Sequence, residues 1–141
     1  MGQHSRHIDL FRGDSATGVA VPDPKAKTSI VEHVMYLGGR GRPTPYSSTT
    51  EDEDVADYFA GPSGRTWTVD LGKGKTRGVK HRSHASLVTD LRGYGKGAAK
   101  STDPFLVAQA RAYVIRWSEH LLDWSAVSAS DVAAAVADVF K

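Results

Sequence analysis

Apolar and polar positions in this chain come in short blocks, and no block keeps one period for long. His7 to Asp14 reads as a strand that delivers Arg12 at its end, with Gly13 allowing a close backbone approach. After a loop from Ser15 to Lys27 that holds Pro22, Pro24 and Gly18, Thr28 or Ser29 caps a helix carrying Ile30, Val31, Val34, Met35 and Leu37, which stops at Gly38-Gly39. Gly39 to Pro43 forms a turn. Tyr46 to Thr50 is a strand of hydroxyl side chains, and Thr49 or Thr50 is placed to cap the next helix. Glu51, Asp52, Glu53 and Asp54 fill its first turn, where the helix dipole favours negative charge, and Val55, Ala56 and Phe59 share one face. Gly61 to Gly64 breaks that helix, and Arg65 to Leu71 alternates with period two, as a strand with one buried face does.

Gly72, Gly74, Gly78, Gly93, Gly95 and Gly97 mark much of the following segment as loop, with room for a short helix from Ser83 to Leu91. Asp103 and Pro104 open a helix that turns Leu106, Val107, Ala110 and Val114 to a common side. Periodicity leaves its end open: it stops near Trp117 and frees Glu119 to Asp123 as a strand, or it runs through Leu122. Ser128 to Asp131 predicts a turn before a helix or a final strand reaching Phe140. Strands mixed with helices, without regular βαβ alternation, predict an α+β fold, and 141 residues are enough for one domain spanning 1–141.

Composition narrows the chemistry. The chain has no cysteine, which removes disulfides and thiolate chemistry, and its six histidines show no metal-binding spacing, so no metal is expected. Neither Gly72 to Lys75 nor Gly93 to Gly97 has phosphate-loop spacing, and no Gly-x-Gly-x-x-Gly follows the first strand. Apolar residues make up 40% and charged residues 24%, with no run of membrane-spanning length and no signal core in Met1 to His7. No membrane partner is expected, and export would need a separate carrier. Net charge is only +2, yet Leu71 to Lys100 holds eight basic residues against Asp90 alone. That segment is either a solvated surface or a surface for phosphates, those of a dinucleotide or of RNA.

Successive hydroxyls at 47–50 cannot all face a core, so some face a ligand or a helix end. An Arg at the first strand, a Ser-Thr-Thr strand running into a helix, and a late Glu119 in an apolar run follow in that order. This order resembles the mono-ADP-ribosyltransferases of the Arg-Ser-Glu subclass, over Leu10 to about Val127, and in particular the C-terminal toxin domains of bacterial polymorphic effectors of the Rhs and type VI kind. The resemblance implies a single-domain ADP-ribosyltransferase-like fold with a small split β-sheet core and flanking helices. It implies NAD+ as co-substrate and a protein or structured RNA as acceptor. Arg12 would hold the pyrophosphate, Ser48 would orient Glu119, and Glu119 would bond the ribose 2′-hydroxyl and stabilise the oxocarbenium centre. Gly13, Thr49, Tyr58 and Phe59 complete the expected NAD+ site, one of the two rings stacking on nicotinamide. The resemblance also implies delivery as part of a larger effector, action in the target-cell cytoplasm and a cognate immunity protein. Arginine-modifying members carry a second acidic residue two positions before the catalytic Glu, and related enzymes carry Gln there, whereas this chain has Trp117, which argues against an arginine acceptor. An NAD+ glycohydrolase and a non-catalytic RNA-binding module remain the alternatives.

Overall fold

The computed structural model describes residues 8–36 and 41–141, so the expectations placed on His7 and on 37–40 lie outside the described residues. Capping chemistry sets where the helices begin. The Ser29 hydroxyl accepts from Glu32 N while the Glu32 carboxylate accepts from Ser29 N, a reciprocal box that opens α1 (Ile30–Met35). Side chains of Asp52, Asp70, Ser83 and Asp103 cap α2 (Glu53–Ala60), α3 (Leu71–Thr76), α4 (His84–Asp90) and α5 (Pro104–Arg116). Helix α6 (Val132–Val139) closes the chain, which resolves the alternative left open for that region in favour of a helix.

The strands are β1 (Phe11–Ser15), β2 (Tyr46–Thr50), β3 (Gly64–Thr68), β4 (Lys80–Arg82) and β5 (Glu119–Asp123), in one antiparallel sheet of order β3-β1-β2-β5-β4. The described residues thus form a small α+β domain with a five-stranded sheet and six α-helices. Helix α5 stops at Trp117 and Glu119 opens a strand.

Four expectations need correction. Arg12 is the second residue of β1 and not its end, because the strand begins at Phe11 and pairs with β3 through Ser15. The cap of α2 is Asp52: Thr49 and Thr50 spend their hydroxyls on the carbonyls of His120 and Trp117, tying β2 to its neighbour. Strand β3 ends at Thr68, since Val69 bridges to Phe140 and Asp70 turns the chain into α3. Helix α3 and strand β4 occupy sequence that reads as loop.

Alternation along β5 divides the interior in two. Leu121 joins Ile30, Val31, Val34, Leu87, Leu91 and the inner face of α5 on one side of the sheet. Leu122 and Trp124 join Val79, Val132, Val136 and Phe140 on the other. Helix α2 lies directly on β1 and β3: a Cβ at Gly13 would stand 2.0 Å from the Ala56 carbonyl oxygen, and one at Gly64 would stand 2.1 Å from that of Ala60. The close approach that Gly13 permits is therefore to a helix backbone.

The sheet is not evenly joined. Strand β1 pairs with β3 over its whole length and β2 with β5 likewise, but β1 and β2 share only the pair Phe11 with Thr50. Beyond that pair the two ladders part, and the gap becomes a cleft.

Candidate active site

Strand register brings the first two site residues together. Thr50 lies opposite Glu119 and Ser48 opposite Leu121, so Ser48 and Glu119 are diagonal neighbours on one face. Ser48 Oγ donates to Glu119 Oε2 at 2.6 Å. The turn that starts β5 is strained: Ser118 has φ 48°, the only positive φ outside glycine among the described residues. Its carbonyl accepts from Glu51 N at 3.2 Å, which fixes the turn and with it the first residue of the strand.

Arg12 reaches across the split. Its Nη1 donates to the Ser48 carbonyl at 2.9 Å and its Nε to Asp14 Oδ2 at 3.0 Å, with the side chain mostly buried. Continuing the register of Phe11 with Thr50 would place Gly13 opposite Ser48, so a guanidinium satisfies a carbonyl that the ladder leaves open. Among the described residues, Nη2 meets no protein acceptor. Arg12, Ser48 and Glu119 all line one cleft of about 900 Å³, at the upper end of the range for small-molecule sites.

Burial sets the charge states. Glu119 is 6% exposed, and loss of water raises its pKa from 4.5 to about 7, against the opposing pull of the Ser48 hydrogen bond and the Arg12 charge. On α1, His33 is fully buried with Nε2 2.9 Å from Ser48 Oγ and Nδ1 2.7 Å from Thr44 Oγ1. Burial first, and then Arg12, lower its pKa to about 3, so the imidazole is neutral.

Of the other expected NAD+ contacts, Phe59 and Gly13 line the cleft. Thr49 reaches it too, but its hydroxyl donates to the sheet. Tyr58 is corrected: it is 72% exposed, stands outside the cleft lining and stacks near Trp117, because the next residue along α2 is the one turned to the cleft. Phe59 is 43% exposed and meets Trp117 edge-on, so the face it shares with Val55 and Ala56 is not fully buried. Tyr46 is buried in the core. Trp117 lines the cleft, with Arg116 over its ring, and its Nε1 is a buried donor with no partner among the described residues. His33, Thr44 and Asp14 are absent from the sequence-level site. The one signal for His33 is a polar residue among Ile30, Val31 and Val34, and it does not distinguish a ligand from a filled core position.

The basic segment does not form one surface. Lys73 on α3 and Arg77 at its C-terminal cap pair with Asp138 of α6, while Arg82 is bound to Asp123. Arg92, Lys96 and Lys100 follow α4 on the opposite side of the sheet, where Leu87, Leu91 and Ala99 join the other core. Behind Glu119, His120 lies between His81, at 2.8 Å, and Glu51, at 2.9 Å. Among the described residues, no group of three His, Cys, Asp or Glu side chains is arranged to hold a metal, and no helix is long and apolar enough to cross a membrane.

No family model, curated protein or solved structure matches the chain.

Proposed function

We propose that this chain is an NAD+-dependent mono-ADP-ribosyltransferase domain of the Arg-Ser-Glu type, with the corresponding split-sheet fold. The observation that carries the reading is the 2.6 Å bond from Ser48 Oγ to a buried Glu119, in the same cleft as a guanidinium with donors to spare. Two features of the cleft support this reading: it has room for a dinucleotide, and Arg12 brings cationic N–H groups for phosphate.

In this reading Arg12 binds the pyrophosphate through Nη2. Glu119 accepts a hydrogen bond from the nicotinamide ribose, and as the ribose C1–nitrogen bond breaks, both electrons leave with nicotinamide, which departs neutral. The ribose becomes an oxocarbenium centre, which the Glu119 carboxylate stabilises. An acceptor nucleophile then forms the new bond to C1 and gives up its proton, which a carboxylate with a pKa of about 7 is able to take. The acceptor is a protein side chain or structured RNA. Delivery within a larger effector, action in the target-cell cytoplasm and a cognate immunity protein rest on the resemblance alone.

A second reading, NAD+ glycohydrolase, is favoured by one feature. The rim beside Glu119 is built from Trp117 and Phe59 and offers no acid at the position that arginine-modifying enzymes use, which suits water as acceptor. Incubation with labelled NAD+ and a cell lysate, followed by separation of protein from RNA, tests both. Label in either polymer identifies the acceptor class, nicotinamide release with unlabelled polymer establishes the glycohydrolase, and intact NAD+ refutes both. Glu119→Gln should lower turnover by about 10²-fold or more.

A further inference from the structure

The hydrogen bonds around His33 can be assigned a direction by counting protons. Above a pH of about 7 Glu119 is an ionised carboxylate, which only accepts, so the single Ser48 hydroxyl proton goes to Glu119 Oε2. The 2.9 Å contact between Ser48 Oγ and His33 Nε2 must then be donated by the imidazole. A neutral imidazole has one N–H, which leaves Nδ1 bare as an acceptor for the Thr44 hydroxyl at 2.7 Å. The Thr44 oxygen in turn accepts from Tyr46 N at 3.2 Å. Every proton in the chain Tyr46 N, Thr44, His33, Ser48, Glu119 points the same way. Arg12 is the charge that acts on the ring, Glu119 stands beyond Ser48 Oγ, and the Tyr46 ring packs edge-on against the imidazole at 5.6 Å.

We propose that His33 is a positioning residue for this site: by donating Nε2–H to Ser48 Oγ it commits the Ser48 proton to Glu119, and Thr44 holds the imidazole in the tautomer that allows this. Without the imidazole donor nothing fixes the Ser48 hydroxyl in the orientation that points at Glu119, and the hydrogen bond that opposes the burial of the carboxylate weakens. With the opposite tautomer, Nε2 would draw the Ser48 proton away from the carboxylate. The effect on turnover rests on the transferase reading, while the proton arrangement does not.

Nitrogen-15 NMR of the free protein at pH 8 to 9, above the Glu119 midpoint, tests the arrangement directly. There His33 should show a protonated Nε2 and a bare Nδ1, and either the other tautomer or an imidazolium overturns the proposal. Thr44→Val keeps the volume and removes the donor to Nδ1. It should admit the Nδ1–H tautomer and raise the midpoint of the Glu119 carboxyl titration, followed by carbon-13 NMR, by about one pH unit, the scale of one hydrogen bond to a charged group. His33→Leu should raise the same midpoint and lower kcat for NAD+ cleavage about tenfold with KM unchanged, and His33→Gln, which restores an N–H near Nε2, should recover most of both. A Glu119 midpoint that stays in place in both Thr44→Val and His33→Leu overturns the proposal. The shifts appearing in a protein that never cleaves NAD+ would leave the positioning role standing and remove the transferase reading. NAD+ cleavage with unmoved midpoints would do the reverse.

Discussion

Replacing Glu119 with Gln should make the protein more stable as pH rises while removing its proposed activity. The carboxyl group titrates at about 7 in the fold against an ordinary value of 4.5, chiefly because it is buried. Between those values the folded state holds a proton that the unfolded chain has released, so stability falls as pH rises through this window. At 1.36 kcal/mol per pH unit, the full displacement amounts to about 3 kcal/mol, present below pH 4.5 and lost above pH 7. Gln is neutral throughout and still accepts from Ser48 Oγ. The variant therefore carries a fixed offset, from its extra N–H groups, and none of the pH-dependent loss.

Urea or thermal unfolding of both proteins at intervals from pH 4 to 8 measures the difference. The stability of Glu119→Gln minus that of the parent should grow by about 3 kcal/mol across the range, which for a chain of this length is a relative rise in Tm on the order of 10 °C. Taking the difference matters, because His33 pulls the other way: its pKa is depressed from 6.5 to about 3, so its contribution to stability is lost as pH falls through that interval in both proteins. A flat difference from pH 4 to 8, or one that shrinks with rising pH, would refute a buried carboxylate held at a cost.

Three further outcomes follow from the same geometry. Arg12→Lys keeps the charge but loses the fork that joins Asp14 and Ser48, so NAD+ should bind about tenfold or more weakly by calorimetry; unchanged affinity would remove Arg12 from the phosphate site. The positive nicotinamide ring favours the ionised form of Glu119, so NAD+ should bind more tightly as pH rises from 6 to 8 with release of up to about one proton, read from binding heats in two buffers of different ionisation enthalpy; pH-independent binding would contradict the pairing. Gly13→Ala puts a methyl against the Ala56 carbonyl and must push α2 off the sheet, so it should cost about 2 kcal/mol or more in urea unfolding, and a loss under 0.5 kcal/mol would show that the helix yields freely.

What the sequence made legible depended on whether the cause of each element is local. The hydroxyl strand, the Asp103-Pro104 start of α5 and the Ser29 cap of α1 are written in adjacent residues, and each was readable. Helix α3 was not, because Gly72 and Gly74 argue against a helix and the opposing cause is tertiary: Gly74 is buried beside Val79 and Val139, and Lys73 and Arg77 are held by Asp138. Strand β4 is three residues long and exists through its pairing with β5. The basic run likewise looks continuous in one dimension and is divided when the chain crosses the sheet edge at β4. Arg12, Ser48 and Glu119 were singled out through the resemblance that their order carries, and the fold brings the three to one cleft. His33 could not, because its meaning lies in a Ser 15 positions away that only the fold brings within 2.9 Å.

Ser48 explains why the split in the sheet and the chemistry coincide. Its carbonyl, left without a ladder partner where β1 leaves β2, is taken by Arg12, and its hydroxyl is committed to Glu119. One residue therefore joins the group proposed for phosphate to the group proposed for the reacting ribose, through its main chain on one side and its side chain on the other. A ladder that continued past Phe11 and Thr50 would pair this carbonyl with strand backbone, close the cleft and leave the guanidinium without its anchor. The gap in hydrogen bonding thus creates the space of the cleft and holds Arg12 at its edge. On the other side of Ser48, β5 brings Glu119 to the same cleft nearly stripped of water, and that burial raises its pKa.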